Sequence, residues 1–284
     1  MANSVSTQGN SRNPAHCLLC GSVELRAIGP EALLCPTCEL LINRQTEALD
    51  YADGGGQAPP DRNKMRWRLE NARMRLRLIE PFLSGHATLV DIGCGSGEML
   101  EAGAAMFTHC IGFDTNAPLI RHIQSRSNAT VFESHFDAAL IPANLASTSK
   151  VFALSHVLEH LDQPLALVET VVAAMAPGDL LYIEVPLHSG RSFRNQGFGW
   201  NLWNHEHVAL YSMAALDLLA RRTGLDIRHR GTRVFARGSH SGKTRLRLML
   251  AEPLRFFRIL LTKGRHSIAD LMIADYGCII LRKP

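Results

Sequence analysis

The segment Leu89-Val90-Asp91-Ile92-Gly93-Cys94-Gly95-Ser96-Gly97-Glu98 constrains this chain more than any other. An apolar run ends at three glycines spaced two apart, and a helical pattern follows. Strand, glycine turn and helix in that order let a backbone pass very close to a ligand, because glycine has no Cβ and tolerates left-handed dihedrals. The G-x-G-x-G spacing differs from the G-x-G-x-x-G fingerprint of dinucleotide sites, which weakens a nicotinamide reading. Taken alone, the turn suits any α/β fold.

The segments that follow narrow the choice. Cys110 to Asp114 reads as a second strand, and it ends in a carboxylate about twenty residues after the glycine turn, the position that hydrogen-bonds a ribose diol. An ionised carboxylate only accepts hydrogen bonds, which matches two adjacent hydroxyls. Thr130 to Phe132, Val151 to Leu154 and Leu180 to Pro186 read as further strands, with a helix from Asp162 to Met175 between the last two. Strands alternating with helices give a doubly wound parallel sheet, and ligands of such sheets sit beyond the carboxyl ends of the strands.

The run V-D-I-G-C-G-S-G at Val90 to Gly97 and S-H-V-L-E-H-L at Ser155 to Leu161 resemble motifs of class I S-adenosylmethionine-dependent methyltransferases. The resemblance implies a Rossmann-like, doubly wound, seven-stranded methyltransferase sheet over residues 61–284. It implies that Asp91, Gly93, Gly95 and Gly97 pass the methionine moiety of S-adenosyl-L-methionine and that Asp114 holds its ribose. Ser155 and His156 are expected at the mouth of the cofactor pocket. His156, Glu159 and His160 also have the H-x-x-E-H order of a metal motif. The segment leaves a strand of a nucleoside-binding fold and has no third ligand of obvious placement, so it is read as pocket lining, with His160 structural.

Near the N-terminus, Cys17, Cys20, Cys35 and Cys38 form C-x2-C-x14-C-x2-C. Each pair suits a tight turn presenting two thiolates, and four thiolates complete the tetrahedron of a structural Zn²⁺ site. About thirty residues cannot bury a sufficient core, so the metal would supply folding free energy. The expected organisation is a four-cysteine zinc-binding module at 14–44, a linker at 45–60 and the methyltransferase domain at 61–284. Asp61 to Glu80 reads as a helix whose arginines form a solvated basic face, ended by Pro81.

The stretch from His188 to Trp200 reads as an irregular, substrate-covering loop. Asn204-His205-Glu206-His207, followed by Tyr211-Ser212 and a helix ending at Gly224, resembles the Y-H-E-H segment of zinc-containing sugar C-methyltransferases. That resemblance implies His207 as general base and Glu206 as its electrostatic partner, with Asn204 in place of the tyrosine. Histidine can take a proton near neutral pH. The acceptor expected is a small molecule: a sugar, nucleotide-linked sugar or secondary-metabolite intermediate, methylated on carbon or oxygen. An RNA base methyltransferase with an N-terminal zinc finger and a non-catalytic S-adenosylmethionine-binding protein stay open as alternatives.

The net charge of +4 is unevenly spread. Residues 228–265 hold eleven basic residues against the single acid Glu252. The segment is read first as a solvated helix, second as a cradle for a phosphorylated or nucleotide-linked acceptor, third as a peripheral contact with anionic lipid. Nucleic acid is not expected, because the cysteine module carries few basic residues. Asp275 to Pro284 reads as a final edge strand, antiparallel to Leu225 to Arg230 or its neighbour. Met1 to Pro14 lacks the apolar segment of a secretory signal, and no uncharged run is long enough to span a bilayer, so a cytoplasmic location is expected. The sequence does not set the oligomeric state.

Overall fold

The computed structural model describes residues 13–46, 58–233 and 275–284. Most of the proposed linker and the greater part of the basic 228–265 segment therefore lie outside the described residues.

Seven strands form one mixed sheet. Along the chain they are β4 (Ala87–Ile92), β5 (His109–Asp114), β6 (Thr130–Glu133), β7 (Ser149–Ser155), β8 (Leu180–Pro186), β10 (Asp226–Arg233) and β11 (Tyr276–Arg282). Their spatial order is β10-β11-β8-β7-β4-β5-β6. The five strands from β6 to β8 are parallel, and β11 runs antiparallel to both β8 and β10. All six residues of β4 and all seven of β8 are buried, as interior strands of a sheet covered on both faces are, with Thr88, Asp91 and Glu184 buried among apolar neighbours. The order reverses between β4, with β5 on one side, and β7 on the other. A crevice opens at that switch point, beyond the strand ends.

One expectation is corrected here. Tyr276–Arg282 is not the edge strand: it inserts between β8 and β10. Gly277 to Leu281 are fully buried, whereas β10 alternates charged residues towards water. The apolar run needs cover on both faces and both edges, and the charged strand tolerates an open edge.

Helices α1 (Arg62–Ile79), α2 (Glu98–Gly103), α3 (Ala117–Gln124), α4 (Pro164–Ala174), α5 (Arg191–Gln196) and α6 (Met213–Thr223) cover the sheet. Asp61, Asn116 and Ser212 cap α1, α3 and α6 by accepting the N–H of Lys64, Leu119 and Ala215. The loop after β8 contains α5, so it is more ordered than an irregular reading allows.

The basic face of α1 is also corrected. Arg62, Lys64, Arg66, Arg73 and Arg77 are exposed, but Arg75 is 4 % exposed and lies on the same face as buried Asn71, Ala72 and Ile79. Arg68 reaches over to donate to Ser96 Oγ at 2.6 Å.

The cysteine segment forms three short strands, β1 (Arg26–Ile28), β2 (Ala32–Leu34) and β3 (Leu41–Asn43). β3 pairs antiparallel with β9 (Ala209–Leu210), which belongs to the larger part of the chain. Cys17, Cys35 and Cys38 share one buried apolar cluster with β8 and α6. Side chains from the main part also bind main-chain carbonyls of the two cysteine turns. Arg222 donates to Cys20 O, His188 Nε2 to Glu39 O and Ser212 Oγ to Cys38 O. The module is built into the body of the molecule at both a sheet and a core.

Candidate active site

The glycine turn after β4 is left-handed at each of its glycines: φ is +71° at Gly93, +54° at Gly95 and +80° at Gly97. A Cβ at Gly93 would meet Val157 Cγ2 at 2.6 Å, and one at Gly97 would meet Ile123 Cγ1 at 2.7 Å. Those two glycines are required by packing as well as by φ. Gly95 differs, because nothing lies within 4 Å of its Cβ position. It lines an open cleft of about 1320 Å³ that runs over the carboxyl ends of the strands.

Asp114, at the end of β5, faces this turn. Its Oδ2 accepts the N–H of Gly95 at 2.8 Å and its Oδ1 the N–H of Asn116 at 2.8 Å. Each oxygen keeps a further lone pair for a ligand. Asp91 is buried in the cleft floor. Burial, with Glu98 and Asp114 nearby, pushes its carboxyl up to about 8 although Arg75 opposes the shift. The buried hydroxyls of Ser155 and Ser134, both on the cleft wall, have no hydrogen-bond partner. A buried polar group without a partner is costly, so these two mark places where a polar ligand fits.

His156 follows β7 with φ +60°, a strained backbone for a residue with a side chain. Its Nδ1 lies 2.9 Å from Glu159 Oε1 and its Nε2 3.3 Å from Glu184 Oε1. Burial alone lowers its pKa, but the two carboxylates outweigh that and raise it. Glu184 anchors a buried ionic network. Its Oε1 takes Arg75 at 2.7–2.8 Å, and its Oε2 takes Arg233 at 2.9 Å and the Tyr182 hydroxyl at 2.7 Å.

At the other end of the cleft the residues predicted for the acceptor separate. His207 is 6 % exposed and lines the cleft. Its Nδ1 donates to Leu202 O at 2.6 Å, and burial pushes its pKa down to about 4. The carboxylate acting on this ring is Glu159. Glu206 contributes its main chain: its carbonyl accepts from His160 Nδ1 at 2.9 Å. Glu206 is half-buried and, unlike His207, is not among the residues that line the cleft. Asn204 Oδ1 accepts the N–H groups of Glu206 and His207 at 2.9 and 3.1 Å, folding the loop into an Asx-type turn.

Sequence reasoning missed Asn43 and Ser134, placed Arg75 on a solvated face, and gave Glu159 no role beyond the H-x-x-E-H order. Asn43 Nδ2 donates to the carbonyls of Asn204 and His207. Asn43 and Ser134 carried no signal beyond their residue type.

The four cysteines converge. Cys17 Sγ lies 3.5 Å from Cys38 Sγ, and Cys20 Sγ lies 3.5 Å from Cys35 Sγ, all four within 4.8 Å of one another. Each pair forms a tight turn closed by a left-handed residue, Gly21 in the first and Glu39 in the second. Zn–S bonds of about 2.3 Å place tetrahedral sulfurs about 3.8 Å apart, so the donor set fits that ion.

Comparison with known proteins agrees with the fold. Over 141 residues the chain is 29% identical to a ubiquinone biosynthesis O-methyltransferase of Paraburkholderia xenovorans (strain LB400), covering 45% of this chain and 61% of that one. The chain thus spans less than two thirds of that relative's length. A SAM-dependent methyltransferase from Archaeoglobus fulgidus superposes with a TM-score of 0.52 at 22% identity, over 78% of this chain and 97% of the other. A chain from the complex of the Haloferax volcanii Trm112 methyltransferase activator with a methyltransferase gives 0.56 at 13% identity, over 84% and 100%. At these identities the likeness is one of fold. Residues 63–230, more than half of the sequence and the whole span from the glycine turn to the loop of His207, match the profile described as "Methyltransferase domain"; the chain belongs to that family.

Proposed function

We propose that this protein transfers a methyl group from S-adenosyl-L-methionine to an oxygen of a small hydroxylated molecule. The observation that carries the reading is Asp114, tied by both oxygens to the turn of Gly95 and Asn116 and open to a ribose diol. Gly95 leaves space where the methionine moiety would run, and the partnerless hydroxyls of Ser134 and Ser155 fit a polar cofactor on the same wall. The name of the curated relative, an O-methyltransferase, favours oxygen over carbon as the acceptor atom.

In the reaction the acceptor oxygen attacks the methyl carbon in line. The C–O bond forms as the C–S bond breaks, the electron pair goes to sulfur, and a neutral thioether leaves. The acceptor's proton must be lost. The chain's share is to hold the two reactants in register and to manage that proton. His207 is assigned to the acceptor hydroxyl. With Nδ1 donating to Leu202 O, the neutral ring presents Nε2 as an acceptor. Glu206 positions this ring's neighbour through its carbonyl. The four cysteines hold a structural Zn²⁺ that fixes β3, and through β9 the acceptor loop.

Calorimetry tests the reading. S-adenosylmethionine should bind the full chain at one site, and Asp114→Ala should weaken it at least about tenfold, since hydrogen bonds to a charged group contribute about 1.5–3 kcal/mol. Absence of binding by the unaltered protein, or no change in Asp114→Ala, would overturn it.

A further inference from the structure

We propose that the polar face of α5, centred on Arg191, binds an anionic group of the methyl acceptor, so that the acceptor is a hydroxylated molecule that also carries a carboxylate or a phosphate monoester. The proposal rests on the methyltransferase reading for the cleft and on separate observations for the anion. Three arginines among the described residues line the cleft. Arg68 donates to Ser96 Oγ, and Arg75 is paired with Glu184. Arg191 is half-buried and, among the described residues, has neither a hydrogen bond nor an ion pair.

A guanidinium keeps its charge at every physiological pH and offers five donors in a planar fork. The acid beside it is Asp275, which also lines the cleft. Its two oxygens accept the Ser192 N–H and the Ser192 hydroxyl, each at 2.7 Å, so that carboxylate is committed to holding α5. One turn on, Asn195 and Gln196 line the same cleft, and neither side-chain amide has a hydrogen-bond partner among the described residues. Residues four apart share a helix face, so Asn195 stands beside Arg191. A charged fork with amide N–H donors at its side is the donor set that carboxylate and phosphate oxygens take.

This face is held from behind. Phe193, on the opposite side of the helix from Arg191, packs against Phe198, Trp200 and Trp203 with ring centroids 5.8, 6.3 and 5.9 Å away. Donors fixed before a ligand arrives lose little freedom when it binds. The cofactor has a carboxylate of its own, and the arginine placed for it is Arg68, tied through Ser96 to the glycine turn. α5 instead follows β8, three places along the sheet from β5 and its Asp114. That position assigns Arg191 to the acceptor. Trp200, Leu202 and Tyr276 line the same cleft and offer apolar surface to the acceptor's body. With its hydroxyl at His207 and its anion at Arg191, the acceptor is gripped at two points, which selects the oxygen that meets the methyl carbon.

The test uses the full chain saturated with S-adenosylhomocysteine, so that no turnover occurs, and titrates it by calorimetry with two matched pairs. One is 3,4-dihydroxybenzoate with its methyl ester; the other is 4-hydroxyphenyl phosphate with hydroquinone. At least one anion should bind about tenfold or more tightly than its neutral partner, and the pair that shows this tells carboxylate from phosphate. Arg191→Met should erase the preference while S-adenosylmethionine affinity stays unchanged. Arg191→Lys should keep only part of it, because an ammonium lacks the planar fork. Anions that bind the unaltered protein no better than their neutral partners, or a preference that survives in Arg191→Met, would overturn the proposal. So would weaker S-adenosylmethionine binding by Arg191→Met, which would give the arginine to the cofactor's carboxylate. The methyltransferase reading fails separately, if neither S-adenosylmethionine nor S-adenosylhomocysteine binds the unaltered protein.

Discussion

The side-chain amide of Asn43 donates to the main-chain carbonyl of His207 at 3.1 Å, joining a strand of the cysteine module to the loop at the acceptor end of the cleft. The same amide donates to Asn204 O at 2.8 Å, and Asn43 is 1 % exposed. The module therefore reaches the acceptor end of the cleft through this residue as well as through the pairing of β3 with β9. Asn43→Ala leaves two carbonyls without this donor. We expect a loss of about 1–3 kcal/mol in stability, measured by urea unfolding. Methyl transfer should fall while S-adenosylmethionine affinity in calorimetry stays unchanged, because Asp114 and Gly95 lie at the other end.

The cysteine site offers a second handle on the same connection. Removing the proposed Zn²⁺ should collapse the two tight turns, and with them the pairing of β3 with β9. Treatment with a strong chelator and a mercurial thiol reagent should release one tightly held Zn²⁺ per chain. Near-ultraviolet circular dichroism from Trp200 and Trp203, packed beside β3 and β9, should change in parallel. Zinc release without a change at the tryptophans would show that the strands hold without it.

Glu184 and Arg75 predict acid sensitivity. Burial acts to raise the Glu184 carboxyl, but Arg75, His156 and Arg233 hold it well below its usual 4.5. A depressed carboxyl contributes stability that is fully present above the unfolded value and is lost as pH falls through the folded one. The protein should therefore lose stability below about pH 4.5. Arg75→Met should remove part of that dependence and cost about 3–5 kcal/mol at neutral pH, since it strands a buried charge. Melting temperature against pH for both proteins is the measurement.

Asp91 has the opposite sign. Its folded pKa of about 8 lies above the ordinary 3.8, so its contribution is complete at low pH and is lost as pH rises through 8. Asp91→Asn should flatten the decline in stability between pH 4 and 8. A ligand carrying positive charge should also draw the proton off. Binding of S-adenosylmethionine at pH 7 should release up to one proton, read from calorimetry in two buffers of different ionisation enthalpy, and Asp91→Asn should release none.

The parts of this molecule that were legible in the sequence are those encoded by local spacing. Gly93, Gly95 and Gly97 announce a left-handed turn because few other residues adopt it, and Asp114 is legible because its distance from that turn is set by one helix and one strand. The cysteine pairs are legible because thiolates presented by tight turns need two intervening residues. Glu159 with His207 was not, because only the packing of β7 against the loop after α5 brings them together. Arg75 was hidden among six other basic residues of α1, of which packing selects one for burial. The inward place of β11 depended on which neighbour could cover an apolar strand, a comparison between segments that local pattern does not make.

The position of Tyr276–Arg282 between β8 and β10 bears on how the protein is made. The strand synthesised last of the seven fills an interior place, so a nascent chain that has completed β10 carries two unpaired strand edges and a partly uncovered core. Those edges can be satisfied only after some forty further residues have left the ribosome. Sheet closure must then be slow, because it waits on pairings of long sequence separation. During that interval the exposed edge of β8, not the finished protein, is the site most open to chaperone capture or to mispairing with another chain.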